Sequence, residues 1–368
     1  MDYKWVEDIE EFRDISAKWD TALINSGNYN PFLLSDFIIT WWKHFSDNLR
    51  LRILVIYNSD KIQGGIPLFM RKPGVKDCFA RVLSFVGGPT ANYTEPFYAA
   101  KEVNMLLLLE KALAKRNDWD VLHLSDVRAT NRLIDECHNY VRNKHFKLYI
   151  SQDHMNLAID LSAGKENYLA SLSKKLLRDL KAKRRHLSNK CGELKLIKIS
   201  GREEVERYFG FYIKFSLNAF ASRNRNSVFE DERYSAFLKE FFVLMDQKQR
   251  LYGHALIAGD EIMAVSFGYK FGKGFNWVLT SFNYDYKYFR PGYLLIEELI
   301  NEICNRGEIY YNWYGHEAFY KTQLCNEKTP LFQIFLARLT WRGLQYSMLM
   351  RIKAIVRYNR ILKSAVEK

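Results

Sequence analysis

The sequence predicts an α/β (α+β) fold in two tandem copies, each a mixed, mostly antiparallel sheet flanked by helices. Three observations lead there. Apolar runs split by tight turns, ILVIYNSDKIQGGIPLFM and ALIAGDEIMAVSFGYK, read as hairpins punctuated by Asn58-Ser59-Asp60 and Gly259-Asp260. The two hairpins align at an offset of 200 residues, Asp60 on Asp260 and Ile62 on Ile262. Each continues into a further apolar run, a helical pattern and another short apolar run: 82–86, 106–114 and 121–124 in the first half, 277–281, 294–303 and 309–313 in the second. The expected domains are 1–150 and 151–340, with 341–368 as a basic amphipathic helix.

Length and composition suit this organisation. A chain of 368 residues holds two ordinary domains, and 48% hydrophobic with 26% charged residues is the balance of a globular protein. No apolar run approaches the roughly 18 residues of a spanning helix. The opening MDYKWVEDIEEF is acidic and periodic, unlike a secretory leader. Five cysteines (78, 137, 191, 304 and 325) lack CxxC spacing, which points to reduced thiols in a cytoplasm and to no metal site. A net charge of +13 calls for an anionic partner, whether cofactor phosphates, nucleic acid or an anionic membrane.

In chain order, Trp5 to about Ile24 reads as an amphipathic helix with Ile9, Phe12, Ile15 and Trp19 on one side. A second helix follows from a Ser35 N-cap; its Trp41 and Trp42 are either an aromatic subsite or core packing. The Gly87-Gly88-Pro89 loop leads to Asn92 and Tyr93, a wide turn or a site lining. Strand-like residues 148–160 precede the basic stretch 172–190. There Leu172, Leu176, Leu177, Leu180 and Leu187 keep helical spacing among Lys174, Lys175, Arg178, Lys181, Lys183, Arg184 and Arg185. A solvated face, a grip on an anionic substrate or cofactor phosphate, and nucleic-acid binding all remain open for it. Residues 202–248 read as two helices joined by an irregular bridge carrying Arg223. LFQIFLARLT closes the fold as a strand. The tail sets Leu344, Met348, Ile352, Ile355 and Val356 against Arg342, Arg351, Lys353, Arg357, Arg360 and Lys363; such a helix either lies on an anionic bilayer or packs back on its domain.

The stretch 250–321 organises the rest, reading strand, strand, strand, helix, strand, helix. Its marks are Tyr284-Asp285, the block FRPGYLLIEE (289–298), Gly315-His316-Glu317 and Tyr320-Lys321. On these residues the chain resembles the GNAT acyltransferases, and within them the BioF2-like/CelD-like branch with tandem GNAT-like halves, related to the FemAB-like transferases. The resemblance implies acetyl-CoA or another acyl-CoA bound where two strands splay, with Leu279 and Thr280 on the splayed strand. It implies a small-molecule amine acceptor, such as an amino sugar or amino-acid precursor of cell-envelope or polysaccharide pathways, in a cytoplasmic enzyme.

Arg290-Pro291-Gly292-Tyr293 stands where such enzymes cradle the pyrophosphate at a helix start. Pro loses no needed bond there, Gly permits close approach and Arg supplies charge. The common Gln/Arg-x-x-Gly-x-Gly/Ala pattern is reduced to one glycine. Tyr320 matches the tyrosine that protonates the leaving thiolate, with Glu317 or His316 to take the amine proton. Asp285, Lys321, Arg223, Asn92 and Tyr93 are candidate acceptor contacts; Glu317 and Lys321 at i and i+4 also suit a plain surface ion pair. Two rivals stand beside this reading. One is a FemAB-like transferase using aminoacyl-tRNA, and the other a non-catalytic basic adaptor on nucleic acid or membrane.

Overall fold

A computed structural model describes residues 1–141, 145–272, 274–314 and 318–352. The chain forms two compact units, Met1–Met155 with Thr329–Lys368, and Asn156–Lys328. In chain order the elements are β1 (Asp2–Val6), α1 (Ile9–Asn25), α2 (Ser35–Phe45), β2 (Leu49–Asn58), β3 (Lys61–Arg71), β4 (Val82–Phe85), β5 (Phe97–Tyr98), α3 (Met105–Ala114), β6 (Val121–Arg128), α4 (Arg132–His138) and β7 (Phe146–Asp160). Then come α5 (Lys165–Ser171), α6 (Lys174–Cys191), β8 (Leu194–Ile199), α7 (Arg202–Ala221), α8 (Glu232–Gln247), β9 (Leu251–Ala258), β10 (Glu261–Phe271), β11 (Gly274–Phe282), α9 (Pro291–Asn305), β12 (Tyr310–Asn312), α10 (Phe319–Leu324) and β13 (Glu327–Arg338). A final helix, α11, occupies 341–352, and the rest of the expected tail helix lies outside the described residues.

The duplication read from the sequence is plain in this order. In the first unit the strands lie β1-β2-β3-β4-β6-β13, with β5 on β3; in the second they lie β8-β9-β10-β11-β12 followed by the end of β7. Each unit is antiparallel except at one place. β4 and β6 are parallel in the first, and β11 and β12 in the second. The helices α3 and α9 make the crossovers that parallel neighbours require. Both hairpin turns fall where the punctuation placed them, with Ser59 and Gly259 at positive φ.

Residues 329–338 of β13 belong to the first unit, and residues 156–160 of β7 to the second. β13 pairs with β6 from Leu331–Arg128 to Ala337–Val121, whereas residues 158–160 of β7 pair with β12. The sequence reading ended its second domain at 340; an exchanged strand leaves no mark in local periodicity, because its pattern is that of any closing strand.

Some local expectations differ. Residues 2–6 are a strand paired with β2, and the first helix begins after Asp8, whose carboxylate accepts from the amides of Glu10 and Glu11. Ser35 is the first residue of α2, not its cap, and its hydroxyl donates to Asp20 Oδ2 at 2.6 Å. Trp41 is buried against Phe45 and Phe69, ring centroids 5.2 and 5.3 Å away, which is core packing.

Candidate functional site

The second unit opens where β11 and β12 part. They pair at Gly274–Tyr310 and Phe275–Tyr311; β11 then runs on to Phe282 while β12 ends at Asn312. Gly274 is required for the pairing, since a Cβ there would overlap the Tyr310 carbonyl. Between Phe267–Leu279 and Tyr269–Asn276 the β10–β11 register shifts, with one extra residue on β11. Such a bulge bends a strand and re-aims its groups. At the vertex the Tyr314 hydroxyl donates to Asn276 Oδ1 at 2.7 Å, and the Asn276 amide is fixed on the carbonyls of Phe271 and Gly274. A strand edge released from its neighbour presents backbone donors and acceptors to whatever enters. Leu279 and Thr280 lie on that released stretch, both half-buried.

β11 leads through a short 3-10 turn, Tyr284–Phe289, into α9. Arg290 caps the helix with a left-handed backbone, φ 53° and ψ 49°, and Pro291 opens it. Gly292 therefore carries the first helical N–H. A Cβ at Gly292 would stand 3.2 Å from the Phe282 ring, so the glycine keeps the helix start close to the end of β11. The Gly292 amide and the helix dipole favour an anion at this point.

The basic helix α6 supplies the surroundings. Leu176, Leu180 and Leu187 are buried in the core that also holds Leu294, Leu295 and Leu299, each burial stabilising by roughly 2 kcal/mol. Asp179 meets Arg290 at 3.2 Å, and Arg184 bridges Glu297 and Glu298 at 2.7 and 2.6 Å. The Lys183 amine lies 3.3 Å from the centroid of the Tyr288 ring. Lys174, Lys175, Arg178, Lys181 and Arg185 remain exposed. The leucines thus pack as an ordinary amphipathic face does, and the outer face stays cationic beside the start of α9.

α10 brings its own pair. Tyr320 packs edge-on against Trp313 and Tyr293, ring centroids 5.9 and 6.4 Å apart, and burial holds its phenol well above the usual range. Tyr293, in the first turn of α9, donates its hydroxyl to Gln323 Oε1 at 2.6 Å and so ties α9 to α10. Lys321 is buried, and its amine donates to the Tyr314 carbonyl at 2.9 Å. Glu317, the partner that the i, i+4 spacing suggested for it, lies outside the described residues. Burial lowers the Lys321 pKa from 10.5 to about 8.

Arg223 is exposed on the bridge between α7 and α8. Ser222 and Arg223 both act on the Tyr284 phenol and hold its pKa down, Ser222 the more strongly, so the bridge lies beside the turn carrying exposed Asp285. The second unit therefore collects Leu279, Thr280, Asp285, Arg290, Pro291, Gly292, Tyr293, Tyr320, Lys321 and Arg223. His316 and Glu317 lie outside the described residues. Asn276, Tyr314 and Gln323 went unnoticed in the sequence, where an Asn in a strand or a Gln in a short helix carries no signal of its own.

Asn92 and Tyr93 belong to the first unit, at the matching place in its repeat. There the chain supplies its own filling. Thr94 bonds the Ser125 carbonyl, and Glu95, fully buried, accepts from the Arg128 amide at 3.1 Å and from its guanidinium. These bonds cover β6 beyond its pairing with β4, which ends at Ser84–His123. Tyr93 is buried, with the Arg128 guanidinium 4.7 Å from the centroid of its ring. The same unit gathers Asp126, Asp153 and His154, the imidazole lying 3.1 Å from Asp153 and 3.2 Å from Asp126.

Known proteins resemble this geometry in two ways. Residues 174–322, from α6 through the parted strands to Thr322, match the family model described as an acetyltransferase (GNAT) domain. The match to a GNAT-type acetyltransferase domain covers that stretch, 149 of the 368 residues. Three solved structures share the fold over most of this chain. FemX superposes with TM-score 0.59 at 11% identity over 95% of this chain and 99% of its own. A conserved protein of unknown function from Bacteroides thetaiotaomicron gives 0.55 at 12% over 91% and 100%. The C-terminal domain of a putative lysylphosphatidylglycerol synthetase from Agrobacterium fabrum gives 0.50 at 11% over 93% and 94%. At these identities the likeness is one of fold. No curated protein sequence matches the chain. The chemistry that goes with the GNAT domain is acyl transfer.

Proposed function

We propose that the chain is an acyl-CoA-dependent N-acyltransferase whose donor enters between β11 and β12 of the GNAT domain. The observation that carries this reading is the parting of the two parallel strands after Phe275–Tyr311, with the start of α9 directly beyond. A pantetheine arm is extended and rich in amides, so it suits the released edge of β11. A pyrophosphate suits the Gly292 amide, the helix dipole and Arg290. The six exposed cations of α6, Lys190 included, give the approach a positive field, and free thiols throughout suit a cytoplasmic enzyme.

In this reading the acceptor amine attacks the thioester carbonyl, a C–N bond forms and the C–S bond breaks. The amine proton passes to a base, for which His316 and Glu317 remain the candidates. The leaving thiolate takes a proton from the phenol of Tyr320, which burial keeps protonated at neutral pH. The acceptor, a small amine such as an amino sugar or an amino-acid derivative, would meet Arg223 and Asp285 at the same edge. Only the second unit is assigned a donor, because Thr94 and Glu95 cover the matching strand of the first.

One observation favours a second reading. The cationic face of α6 would also take the phosphates of an aminoacyl-tRNA, and FemX shares the fold. The two separate in one assay. Purified protein is given acetyl-CoA and a panel of amines, and release of free thiol is followed; charged tRNA with the same amines is the parallel arm. Amine-dependent thiol release supports the acyl-CoA reading, whereas transfer from tRNA alone replaces it.

A further inference from the structure

The helix that closes the first unit has two faces of opposite character. Tyr346 and Ser347 are buried, and Tyr346 packs with Ala80, Val82, Val121, Phe335 and Ala337 while its hydroxyl lies 3.0 Å from His123 Nδ1. On the other side, Trp341, Leu344, Met348 and Ile352 are 75, 38, 66 and 47% exposed. Their spacing of three, four and four residues makes one continuous stripe along the helix. Exposed large apolar side chains scattered singly need no explanation, but a row of four on one face of a helix does.

Cations border the stripe. Arg342 and Arg351 are exposed on the helix itself. Arg351 and Lys147 both approach the Tyr149 ring, 5.0 and 5.1 Å from its centroid. Arg71, Asp77 and Cys78 act on the Tyr346 phenol, so the turn carrying exposed Val75 and Phe79 lies beside the helix. The acids on this side are engaged, Asp77 with Arg71 and Asp120 with Arg81. Beyond residue 352 the sequence adds Lys353, Arg357, Arg360, Lys363 and Lys368 against Glu367 alone.

We propose that this face of α11 docks on an anionic phospholipid bilayer, with Trp341, Leu344, Met348 and Ile352 at the level of the headgroups and Arg342 and Arg351 on the lipid phosphates. Charge decides the occupant. A second copy would present the same cations and set like charges face to face across a two-fold axis. A nucleic acid would take the cations yet leave the apolar stripe in water. A negatively charged bilayer satisfies both, since apolar burial and attraction to anionic lipid act together at such a surface. Among the described residues no helix is long and apolar enough to cross a membrane, so the contact is peripheral.

The test is co-sedimentation of the full chain with two kinds of vesicle, phosphatidylcholine alone and phosphatidylcholine mixed with phosphatidylglycerol. Binding is expected to the mixed vesicles only, and to weaken as salt is raised. Arg342→Gln and Arg351→Gln should each lower the affinity roughly fivefold. The pair Trp341→Ser with Met348→Ser should abolish binding while circular dichroism stays unchanged, because both side chains are exposed. Equal binding to both vesicle types, wild-type binding by the variants, or no binding at all would overturn the proposal. So would self-association without lipid that Met348→Ser removes, since it would assign the stripe to a second copy.

Discussion

Phe275 and Tyr311 form the final pair of the parallel ladder in the second unit, and everything assigned to the donor lies beyond them. One residue earlier, Gly274 faces Tyr310 so closely that no side chain fits. Gly274→Ala should therefore force the two strands apart or shift the Tyr310 carbonyl. Overpacking of this kind costs about 1–3 kcal/mol. Urea unfolding should show the midpoint falling with little change in slope, and an unaltered midpoint would mean that the strands are not held this closely.

Tyr320 is the assigned acid. Tyr320→Phe keeps the ring that packs on Trp313 and Tyr293 and removes only the hydroxyl. Turnover should fall about a hundredfold, at the lower end of what a positioned proton donor contributes, with KM for the donor nearly unchanged. Steady-state kinetics with thiol detection reads this. Equal turnover in the variant would remove Tyr320 from the chemistry.

Lys321 gives the unit a pH signature. Burial lowers its folded pKa to about 8 from 10.5. Below the folded value both states carry the proton and the full cost of a buried charge is present. Between the two values the unfolded chain binds more protons than the folded one, so stability rises with pH across that window and levels off above it. The gain across the whole window is about 3 kcal/mol. Thermal unfolding from pH 7 to pH 10 should show it, and Lys321→Met should flatten the rise.

The first unit is predicted to be structural. Glu95→Ala would leave Arg128 without its buried partner, which costs about 3–5 kcal/mol. Donor affinity should stay at the wild-type level in the fraction that remains folded. Denaturant melts and calorimetry on the same preparation separate the two effects. A loss of donor affinity in fully folded protein would show that the first unit takes part in binding.

Much of this architecture was legible in the sequence because it is local. The turns at Asn58–Asp60 and Gly259–Asp260 sit between alternating apolar runs, and Pro291 marks the start of α9 by the chemistry of proline. The offset of 200 residues between the halves marks the repeat in the sequence itself. What stayed hidden is non-local. The exchange of β7 and β13 alters partners without altering pattern. The Glu95–Arg128 pair joins residues 33 positions apart, and nothing around Glu95 says that it is buried. The spacing of Lys321 from Glu317 suits a surface pair as well as a ligand contact, and gives no sign of the bond from its amine to the Tyr314 carbonyl, seven residues earlier. Trp5 continues the apolar period of α1 and so reads as helix; only the pairing of β1 with β2 sets it apart.

The central claim is that the donor lies along β11 with its phosphates at the start of α9. Isothermal titration of acetyl-CoA and longer acyl-CoAs into the wild type, Arg290→Ala and Gly292→Asp tests it most directly. The account predicts micromolar binding that Arg290→Ala weakens several-fold and that Gly292→Asp abolishes, by placing a carboxylate beside the first helical amide. Absence of binding by any acyl-CoA at low and moderate salt, or binding that neither substitution alters, would contradict it.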